Sequence, residues 1–263
     1  MPRLFIFGLG YTAGRFAQAM RARGWQVDAT GSAGNVDFAD REAVVQALGE
    51  AGHVLSSVPP DRESGLDPVL DAYREDMGEA WFGYLSSTGV YGDAAGAWVD
   101  EHSPTGGGRR TARSEADEKW LELGARVFRL PGIYGPGRSI FERLEAGKAH
   151  RIDLPGQVFS RVHVDDIVSG LVAAIASDAP PGAYNLSDDF PASQNAVVEE
   201  AARLTGVEPP PLKTLEEADL SPMARGFYAE NRRVANGKAK RVLGWEPRYP
   251  TYREGLAAIR ALA

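Results

Sequence analysis

Two hydrophobic patterns alternate near the start of the chain. Residues 4–7 form a short, continuous apolar run, which is typical of a strand buried on both faces of a parallel sheet. Apolar side chains then recur at spacings of three and four, at positions 13, 16, 17 and 20, which indicates an amphipathic helix. Residues 26–30 predict a second strand. The chain therefore opens with a predicted strand–helix–strand unit.

The alternation continues through most of the remaining sequence. Predicted strands lie at residues 53–58, 81–85, 125–130 and 183–186, with predicted helices near residue 45, at 114–123 and at 165–176. Strands that alternate with helices favour right-handed crossovers and a parallel sheet with helices on both faces. We therefore predict a Rossmann-type, doubly wound α/β fold.

A glycine-rich turn joins the first predicted strand to the first predicted helix. It reads GLGYTA at residues 8–13, in the strand–turn–helix context of a dinucleotide-binding motif. Gly8 allows the tight turn, Gly10 leaves room for a pyrophosphate, and Ala13 lets the helix pack close to the strand. The free N–H groups of the helix start attract phosphate. We predict that Gly8, Gly10, Tyr11, Thr12 and Ala13 bind a nicotinamide dinucleotide, and a tight turn without a ligand is the weaker alternative.

The sequence does not decide whether the dinucleotide is NAD or NADP. NAD-binding proteins usually carry an acid at the end of the second strand, where it binds the ribose hydroxyls. That end falls near Ser32, whereas Asp28 lies in the middle of the strand. Ser32 can bond a 2′-phosphate, so NADP is favoured, although no arginine stands there. Asp37 and Phe38 either flank the adenine or belong to a plain loop, and the two interpretations are equal.

Composition and charge limit the partners. The chain has 263 residues, no cysteine and a formal net charge of −7, and it contains no basic run. Such a chain is a poor candidate for binding nucleic acid or an anionic membrane surface. No apolar stretch reaches the ~18 residues of a membrane span, and the N-terminal run is too short for a signal peptide. We expect a cytoplasmic protein that binds a small molecule, without a metal site, because no metal-ligand spacing is present.

Longer motifs give the sequence a family resemblance. They are LSSTGVYGD at residues 85–93, RLPGIYGPG at 129–137 and RVHVDD at 161–166, followed by YNLSDD at 184–189 and LGW at 243–245. With the glycine turn, and in this order, they make the chain resemble the extended short-chain dehydrogenase/reductase family, in its NAD-dependent epimerase/dehydratase branch. The matches run from residue 4 to about residue 256, which is nearly the whole chain.

The resemblance implies a two-part architecture and a set of site residues. A dinucleotide-binding Rossmann domain takes residues 1–136 and 161–188, and a small C-terminal substrate lobe takes residues 137–160 and 189–263. Ser87 stands at the position of the family's catalytic serine or threonine. In the family, the hydroxyl of that residue donates a hydrogen bond to the reacting oxygen of the substrate. The family's segment that passes along the cofactor corresponds to Ser56, Ser57 and Val58. The segment that lines the nicotinamide corresponds to Pro131 through Tyr134.

The sequence departs from the family at its acid/base pair, a tyrosine followed four residues later by a lysine. The lysine binds the nicotinamide ribose, and its charge lowers the pKa of the tyrosine. In the register of the predicted helix, Thr111 and Glu115 stand in these positions, and a threonine hydroxyl is too weak an acid. Many relatives also hold a substrate pyrophosphate with an arginine where this sequence has Phe159, and Arg161 is out of register. The chain thus resembles an atypical subgroup, in which the glycine turn is also one residue shorter.

Other side chains are candidates to replace the missing pair. Tyr134 is the first candidate, since its segment is expected to pass the nicotinamide, and Tyr91 is the second, although both suit a packing role. Arg109, Arg110 and Arg113 form a basic cluster beside the expected active site. This cluster is either a solvated face, which we prefer, or a clamp for an anionic substrate and a substitute for the charge of the lysine.

Two functions of different classes follow. The first is an oxidoreductase, epimerase or dehydratase that acts on a carbohydrate-like or nucleotide-linked substrate, and Ser87 with the nicotinamide-lining segment favours it. The second is an inactive NAD(P)-binding sensor or regulatory protein, which the missing tyrosine–lysine pair favours. The resemblance also implies a homodimer formed through helices of the Rossmann domain. From the sequence, whether the protein is an enzyme stays open.

Overall fold

A parallel sheet forms the centre of the fold in the computed structural model, which describes residues 1–108 and 111–262. The described strands are β1 (Arg3–Phe7), β2 (Gln26–Ala29), β3 (His53–Ser56), β4 (Trp81–Ser87), β5 (Trp98–Val99), β6 (Arg126–Leu130), β7 (Gly132–Tyr134), β8 (Arg151–Ile152), β9 (Arg161–His163), β10 (Gly182–Asn185), β11 (Leu212–Lys213) and β12 (Arg233–Val234). The central sheet has the order β2-β1-β3-β4-β6-β10, and its neighbouring strands are all parallel. The short strands pair separately, as β5 with β12, β7 with β9 and β8 with β11.

Helices cover both faces of this sheet. The described helices are α1 (Tyr11–Arg21), α2 (Arg41–Glu50), α3 (Pro68–Tyr73), α4 (Thr111–Glu122), α5 (Ile140–Glu145), α6 (Val164–Ala176), α7 (Gln194–Thr205), α8 (Pro222–Phe227), α9 (Gly237–Leu243) and α10 (Tyr252–Arg260). Residues of α1, α6 and α9 share one apolar core with the sheet, and residues of α2, α3 and α4 share the other. Burial on both faces explains why the central strands are continuous apolar runs rather than alternating ones. The predicted doubly wound Rossmann-type fold is confirmed.

A third apolar core joins α5, α7 and α10 and includes Phe141, Val198 and Leu256. It lies in the part of the chain that was predicted to form the substrate lobe. Leu243 and Trp245, from the same predicted lobe, pack instead in the core on the sheet. The reason is that α9 contacts α6, and the indole of Trp245 donates to the Asp166 carbonyl at 3.1 Å. The exact domain boundaries stay a prediction. In the part of the chain that the structure describes, no helix combines the length and the apolar composition needed to cross a bilayer.

A buried ion pair ties α4 to the sheet. The guanidinium of Arg129 donates to the carboxylate of Asp117 at 2.7 Å, and the two side chains are only 4% and 3% exposed. The Ser86 hydroxyl donates to the same carboxylate at 2.5 Å. Arg129 also donates to the Tyr91 hydroxyl at 3.0 Å, which in turn donates to Asn185 at 2.8 Å. This network therefore joins α4 to the carboxyl ends of β4, β6 and β10.

Replacement of Arg129 tests how much this network contributes to stability. Arg129→Gln leaves the Asp117 carboxylate buried without its cationic partner, so we expect the free energy of unfolding to fall by about 3–5 kcal/mol. Urea denaturation followed by circular dichroism measures the change. The matched control is Arg203→Gln on α7, which removes an exposed ion pair with Glu200 and should cost less than about 1 kcal/mol. Equal losses for the two variants would contradict the role given to the buried pair.

Candidate active site

The turn between β1 and α1 is held between the ends of two neighbouring strands. Gly8 has a φ of +83°, in the left-handed region that favours glycine, and a Cβ there would lie 2.8 Å from Val58 Cγ2. The Gly8 and Leu9 N–H groups donate to the Thr30 hydroxyl and carbonyl oxygens at 3.1 and 2.8 Å. The Ser57 hydroxyl donates to the Gly8 carbonyl. Only glycine therefore fits the first position of this turn.

The N-terminal end of α1 opens onto free space. Gly10 is the N-cap residue, no side chain caps the helix, and a Cβ on Gly10 would have no atom within 4 Å. By contrast, aspartates cap α2 and α3. The N–H groups of Tyr11, Thr12 and Ala13 belong to the first turn, which an α-helix leaves without internal acceptors. These donors and the helix dipole form a seat for phosphate that Gly10 leaves unobstructed.

Two arginines add positive charge beside this seat. Their guanidinium carbons lie 4.1 Å (Arg15) and 5.6 Å (Arg138) from the centroid of the Tyr11 ring. The Tyr11 hydroxyl and Arg15 both donate to the Pro136 carbonyl, at 3.0 and 3.1 Å. These contacts hold the segment after β7 against the start of α1. They also place cations where the phosphates of a dinucleotide would approach.

The residues predicted for the adenosine half lie beyond the end of β2. Ser32 and Asp37 are exposed and Phe38 is half-buried, and none of these three lines the cavity described below. Asp28 accepts from the Asn35 side chain at 2.8 Å, which engages its carboxylate within the loop. The side chain at the ribose position therefore remains Ser32, as the sequence indicates, and its role stays a prediction.

The three residues predicted to pass along the cofactor have different environments. Ser56 is fully buried, and its hydroxyl has no hydrogen-bond partner among the described residues. The Val58 side chain packs against Gly8 and occupies the space that a side chain at residue 8 would need. Ser57 alone of the three reaches the cavity wall. Ser57 is therefore the residue of this segment that faces the cavity.

A cavity of about 940 Å³ extends from the start of α1 into the C-terminal part of the chain. Ser57, Ser87 and Pro131 line it, and they lie at or just beyond the ends of β3, β4 and β6. Because these strands are parallel neighbours, their carboxyl ends share one edge of the sheet, where open α/β sheets bind ligands. The Ser87 hydroxyl oxygen accepts from the Gly89 N–H at 3.1 Å, a bond that does not use the hydroxyl proton. Ser87 can therefore donate to a ligand in the cavity.

Arg113 is the residue of α4 that lines the cavity. Thr111 and Glu115, which were expected at the tyrosine and lysine positions, are exposed and lie outside the wall. The physical reason is that residues three or four positions apart lie on the same face of a helix. Arg113 therefore shares the inner face of α4 with the buried residues Ala116 and Asp117. The buried side chains of α4 are Ala116, Asp117 and Trp120.

Arg113, and not Glu115, is thus the charged residue of α4 in the cavity wall. The preferred interpretation of the arginine cluster as a solvated face is wrong for Arg113, which is half-buried in the wall. Arg109 and Arg110 lie outside the described residues. A cationic side chain of α4 therefore lies in the cavity wall.

Neither candidate tyrosine presents its hydroxyl as an acid. The Tyr134 ring lines the cavity, but its hydroxyl is buried, points at Gly255 of α10 and has no hydrogen-bond partner among the described residues. Burial raises the pKa of Tyr134 far above its ordinary value. The Tyr91 hydroxyl is engaged with Arg129 and Asn185. The geometry therefore favours a packing role for Tyr134 and a structural role for Tyr91.

The far half of the cavity is built from side chains that the sequence did not connect. Phe159 packs edge-on against Tyr228, with ring centroids 5.5 Å apart. His150 Nε2 lies 3.1 Å from the Tyr228 hydroxyl, although the two residues are 78 positions apart in the chain. Arg161 also lines the wall, but its buried guanidinium donates to the carbonyls of Phe159 and Ala192. No local sequence pattern links these segments, so only the folded chain brings them together.

The cavity wall is more positive than the protein as a whole. Its described ionisable residues apart from tyrosine and histidine are five arginines and two glutamates: Arg113, Arg138, Arg143, Arg161, Arg232, Glu142 and Glu230. In a chain with a net charge of −7, this wall attracts anionic ligands. Among the described residues, no three potential metal-ligating side chains come together.

Known proteins resemble the chain over most of its length, although no family model matches it. A Streptomyces protein named 3-diazoavenalumate denitrifying reductase is 30% identical over 261 residues, covering 84% of each chain. A solved structure of a functionally unknown conserved protein from Silicibacter pomeroyi DSS is 40% identical, has a TM-score of 0.89, and covers 100% of this chain and 99% of that one. The human epimerase family protein SDR39U1 (isoform 2), solved with NADPH, is 16% identical with a TM-score of 0.79, covering 99% of this chain and 100% of that one.

The fold, the open helix start and the cavity at the sheet edge define a dinucleotide-binding protein of the Rossmann type. The chain belongs to the extended short-chain dehydrogenase/reductase family, in its NAD-dependent epimerase/dehydratase branch. The resemblance stated from the sequence motifs is confirmed.

A pair of tyrosine variants tests the role of Tyr134. Tyr134→Phe removes a buried hydroxyl without a partner and keeps the ring, so we expect stability to stay equal or to rise by up to about 1 kcal/mol. Tyr91→Phe is the matched control, because its hydroxyl bonds two partners and the same change should cost about 1–3 kcal/mol. Urea denaturation of both variants gives the comparison. A loss for Tyr134→Phe as large as that for Tyr91→Phe would contradict the packing role.

Proposed function

We propose that the protein is an NAD(P)-dependent oxidoreductase that reduces a small, anionic substrate. The observation that carries this proposal is the continuous cavity. It runs from the glycine turn past Ser87 and Arg113 to residues of the C-terminal part of the chain. The Streptomyces relative at 30% identity is named a reductase, and we extend that class of reaction to this chain. A cytoplasmic location and a homodimer stay predictions.

The residues around the glycine turn fit a dinucleotide. The first-turn N–H groups of α1 would bind the pyrophosphate, with Gly10 leaving the space that its oxygens need. Ser57 would contact the cofactor along the cavity wall, and Pro131 would lie against the nicotinamide. Ser32, Asp37 and Phe38 would surround the adenosine. NADP is favoured over NAD, because Ser32 rather than an acid stands where the 2′ group is bound.

Ser87 and Arg113 would act at the reacting end of the substrate. When bound, the reduced dinucleotide supplies a hydride. Ser87 would donate a hydrogen bond to the substrate atom on which negative charge develops, which is the usual way to stabilise such charge. Arg113 would bind the nicotinamide ribose and add positive charge, as the lysine does in the family. Since arginine does not deprotonate in proteins, Arg113 holds charge and does not supply a proton.

A nucleotide-linked sugar is a poorer fit than a smaller anion. Phe159 stands where many relatives place the arginine that holds a substrate pyrophosphate. Arg161, two residues on, has its guanidinium engaged by backbone carbonyls and Gln194. We therefore favour a small-molecule substrate without a nucleotide.

Gly10→Ala tests the cofactor seat. The φ of −89° at Gly10 suits alanine and the added methyl group meets no protein atom, so we expect stability to change by less than about 0.5 kcal/mol. The same methyl group enters the pyrophosphate seat, so the affinity for NADPH should fall at least about tenfold. Isothermal titration calorimetry with NADPH and NADH measures the loss and the preference between the two cofactors.

The control for this variant is Gly14→Ala, one turn further along α1. Its added methyl group also meets no atom within 4 Å, but Gly14 does not line the cavity. NADPH affinity should be unchanged in this variant. If Gly10→Ala binds NADPH as tightly as the original protein does, the proposed seat is wrong.

Ser87→Ala tests the chemistry and separates an enzyme from a sensor. A panel of carbonyl compounds and conjugated acids, with NADPH oxidation as the readout, first identifies a reducible substrate. We expect Ser87→Ala to lower kcat/KM by about 10²–10³-fold with unchanged NADPH affinity, because it removes a donor to the developing charge. Arg113→Met should lower both activity and NADPH affinity, and Arg113→Lys should retain more of each, because it keeps the charge. Tight NADPH binding with no turnover of any compound, and unequal affinities for NADPH and NADP, would instead indicate the sensor.

A further inference from the structure

Three side chains in the far half of the cavity take no part in the chemistry proposed above. Arg143 lies on α5, His150 precedes β8, and Tyr228 directly follows α8, and all three line the cavity. Arg143 Nη2 lies 3.4 Å from His150 Nδ1, and His150 Nε2 lies 3.1 Å from Tyr228 Oη. We call this chain of polar contacts the Arg143–His150–Tyr228 relay.

In the relay, each hydrogen bond is donated in the direction from Arg143 to Tyr228. A guanidinium group only donates hydrogen bonds, so we assign His150 Nδ1 as the acceptor of the first contact. Burial lowers the pKa of His150, the neighbouring Arg143 lowers it further, and a backbone hydrogen bond with Lys148 opposes the shift. We assign the ring proton to Nε2, because the donor-only guanidinium of Arg143 faces Nδ1. Nε2 therefore donates to the Tyr228 oxygen. The phenol proton of Tyr228 remains for an acceptor inside the cavity.

The wall around Tyr228 is aromatic. The Tyr228 ring meets Phe159 at an interplanar angle of 87°, and Phe227 lines the same part of the cavity. Arg161 lies 5.8 Å from the centroid of the Phe159 ring and braces it through its bonds to the backbone. Aromatic faces and edges of this kind bind the planar ring of a ligand by stacked and edge-on contacts.

The two glutamates of the cavity wall are bound to neighbouring groups, so they do not repel an anion from the far half of the cavity. Glu142 accepts from the backbone and the hydroxyl of Ser139 in the capping box of α5. Glu230 is paired with Arg232 at 2.8 Å. The guanidinium of Arg143 therefore gives this part of the cavity a positive charge, which favours a negatively charged acceptor for the Tyr228 proton.

We propose that the far half of the cavity binds an aromatic or conjugated carboxylic acid, whose carboxylate accepts a hydrogen bond from Tyr228 and whose planar body packs against Phe159 and Phe227. This substrate class rests on the proposed function, which places the reacting end of the molecule near Ser87. Tyr228 recognises the carboxylate, and His150 is a positioning residue that aims the Tyr228 hydroxyl. A nucleotide-linked sugar is the competing occupant, and its diphosphate would require several cationic donors.

Three probes distinguish these occupants, and each is titrated into the protein with and without saturating NADP. Trans-cinnamate carries the ring, the conjugated chain and the carboxylate. Cinnamyl alcohol keeps the ring and the double bond but has a neutral hydroxymethyl group in place of the carboxylate, and UDP-glucose represents the nucleotide-linked sugars. We expect calorimetric titration to show cinnamate binding at least about tenfold more tightly than cinnamyl alcohol. Equal affinities for these two compounds, or tighter binding of UDP-glucose than of cinnamate, would overturn the proposal.

Variants of the relay test its residues individually. Tyr228→Phe keeps the ring and removes the donor, so cinnamate should bind about tenfold more weakly. His150→Leu should also weaken cinnamate, by about threefold to tenfold, because the Tyr228 hydroxyl loses its fixed direction. Since His150 acts through Tyr228, the double variant should bind cinnamate no more weakly than Tyr228→Phe alone. Independent, additive losses would contradict the relay, whatever their size.

A control and a second measurement separate this inference from the proposed function. Tyr184→Phe on β10 removes a hydroxyl that donates to the Pro180 carbonyl at 2.7 Å, outside the cavity wall, so it should leave cinnamate binding unchanged. NADPH affinity should be the same in all the relay variants. NADPH binding without cinnamate binding would overturn the carboxylate site alone. Cinnamate binding without NADPH binding would overturn the proposed function and leave the carboxylate site supported.

Discussion

The buried ion pair between Asp117 and Arg129 determines which side of α4 the cavity meets. The pair fixes the rotation of the helix, because Asp117 must face β6 for its carboxylate to reach the guanidinium at 2.7 Å. Arg113, one turn earlier, then has to lie on the same inner side. Ser86 is also engaged by this carboxylate, which leaves the next hydroxyl of β4, that of Ser87, for the cavity. A contact with no part in the reaction thus positions both groups that we expect to act on the substrate.

The dinucleotide half of the site could be predicted because its signals are local. A buried strand, two glycines and an amphipathic helix occupy consecutive positions, and the need for glycine at residue 8 follows from its φ of +83°. The orientation of α4 could not be predicted in the same way. Its inner face carries a charged residue, Asp117, and charged residues normally indicate the solvent side of a helix. The cation that compensates Asp117 lies twelve residues away on another element, so no helical pattern reveals it.

The far half of the cavity was not predictable from sequence for a related reason. Tyr228 and His150 belong to connecting segments, and a separation of 78 positions leaves no periodicity to detect. Such segments also vary more than the elements they connect, since the scaffold does not depend on their side chains. The family motifs therefore describe the cofactor half, and they leave the substrate half to geometry. Phe159 is the partial exception, because the absence of the expected arginine already argued against a substrate pyrophosphate.

The proposed replacement of the lysine by Arg113 constrains the reaction more than it constrains the fold. Arginine keeps its proton, and the Ser87 hydroxyl is a good hydrogen-bond donor but a poor acid, so the two can stabilise negative charge without neutralising it. A reacting centre conjugated to a ring or a carboxylate spreads such charge over several atoms, and it needs less help from an acid than an isolated carbonyl does. The aromatic wall of Phe159 and Tyr228 suits molecules of that kind. The groups that would stabilise charge and the surface that would bind the substrate therefore favour the same chemical class.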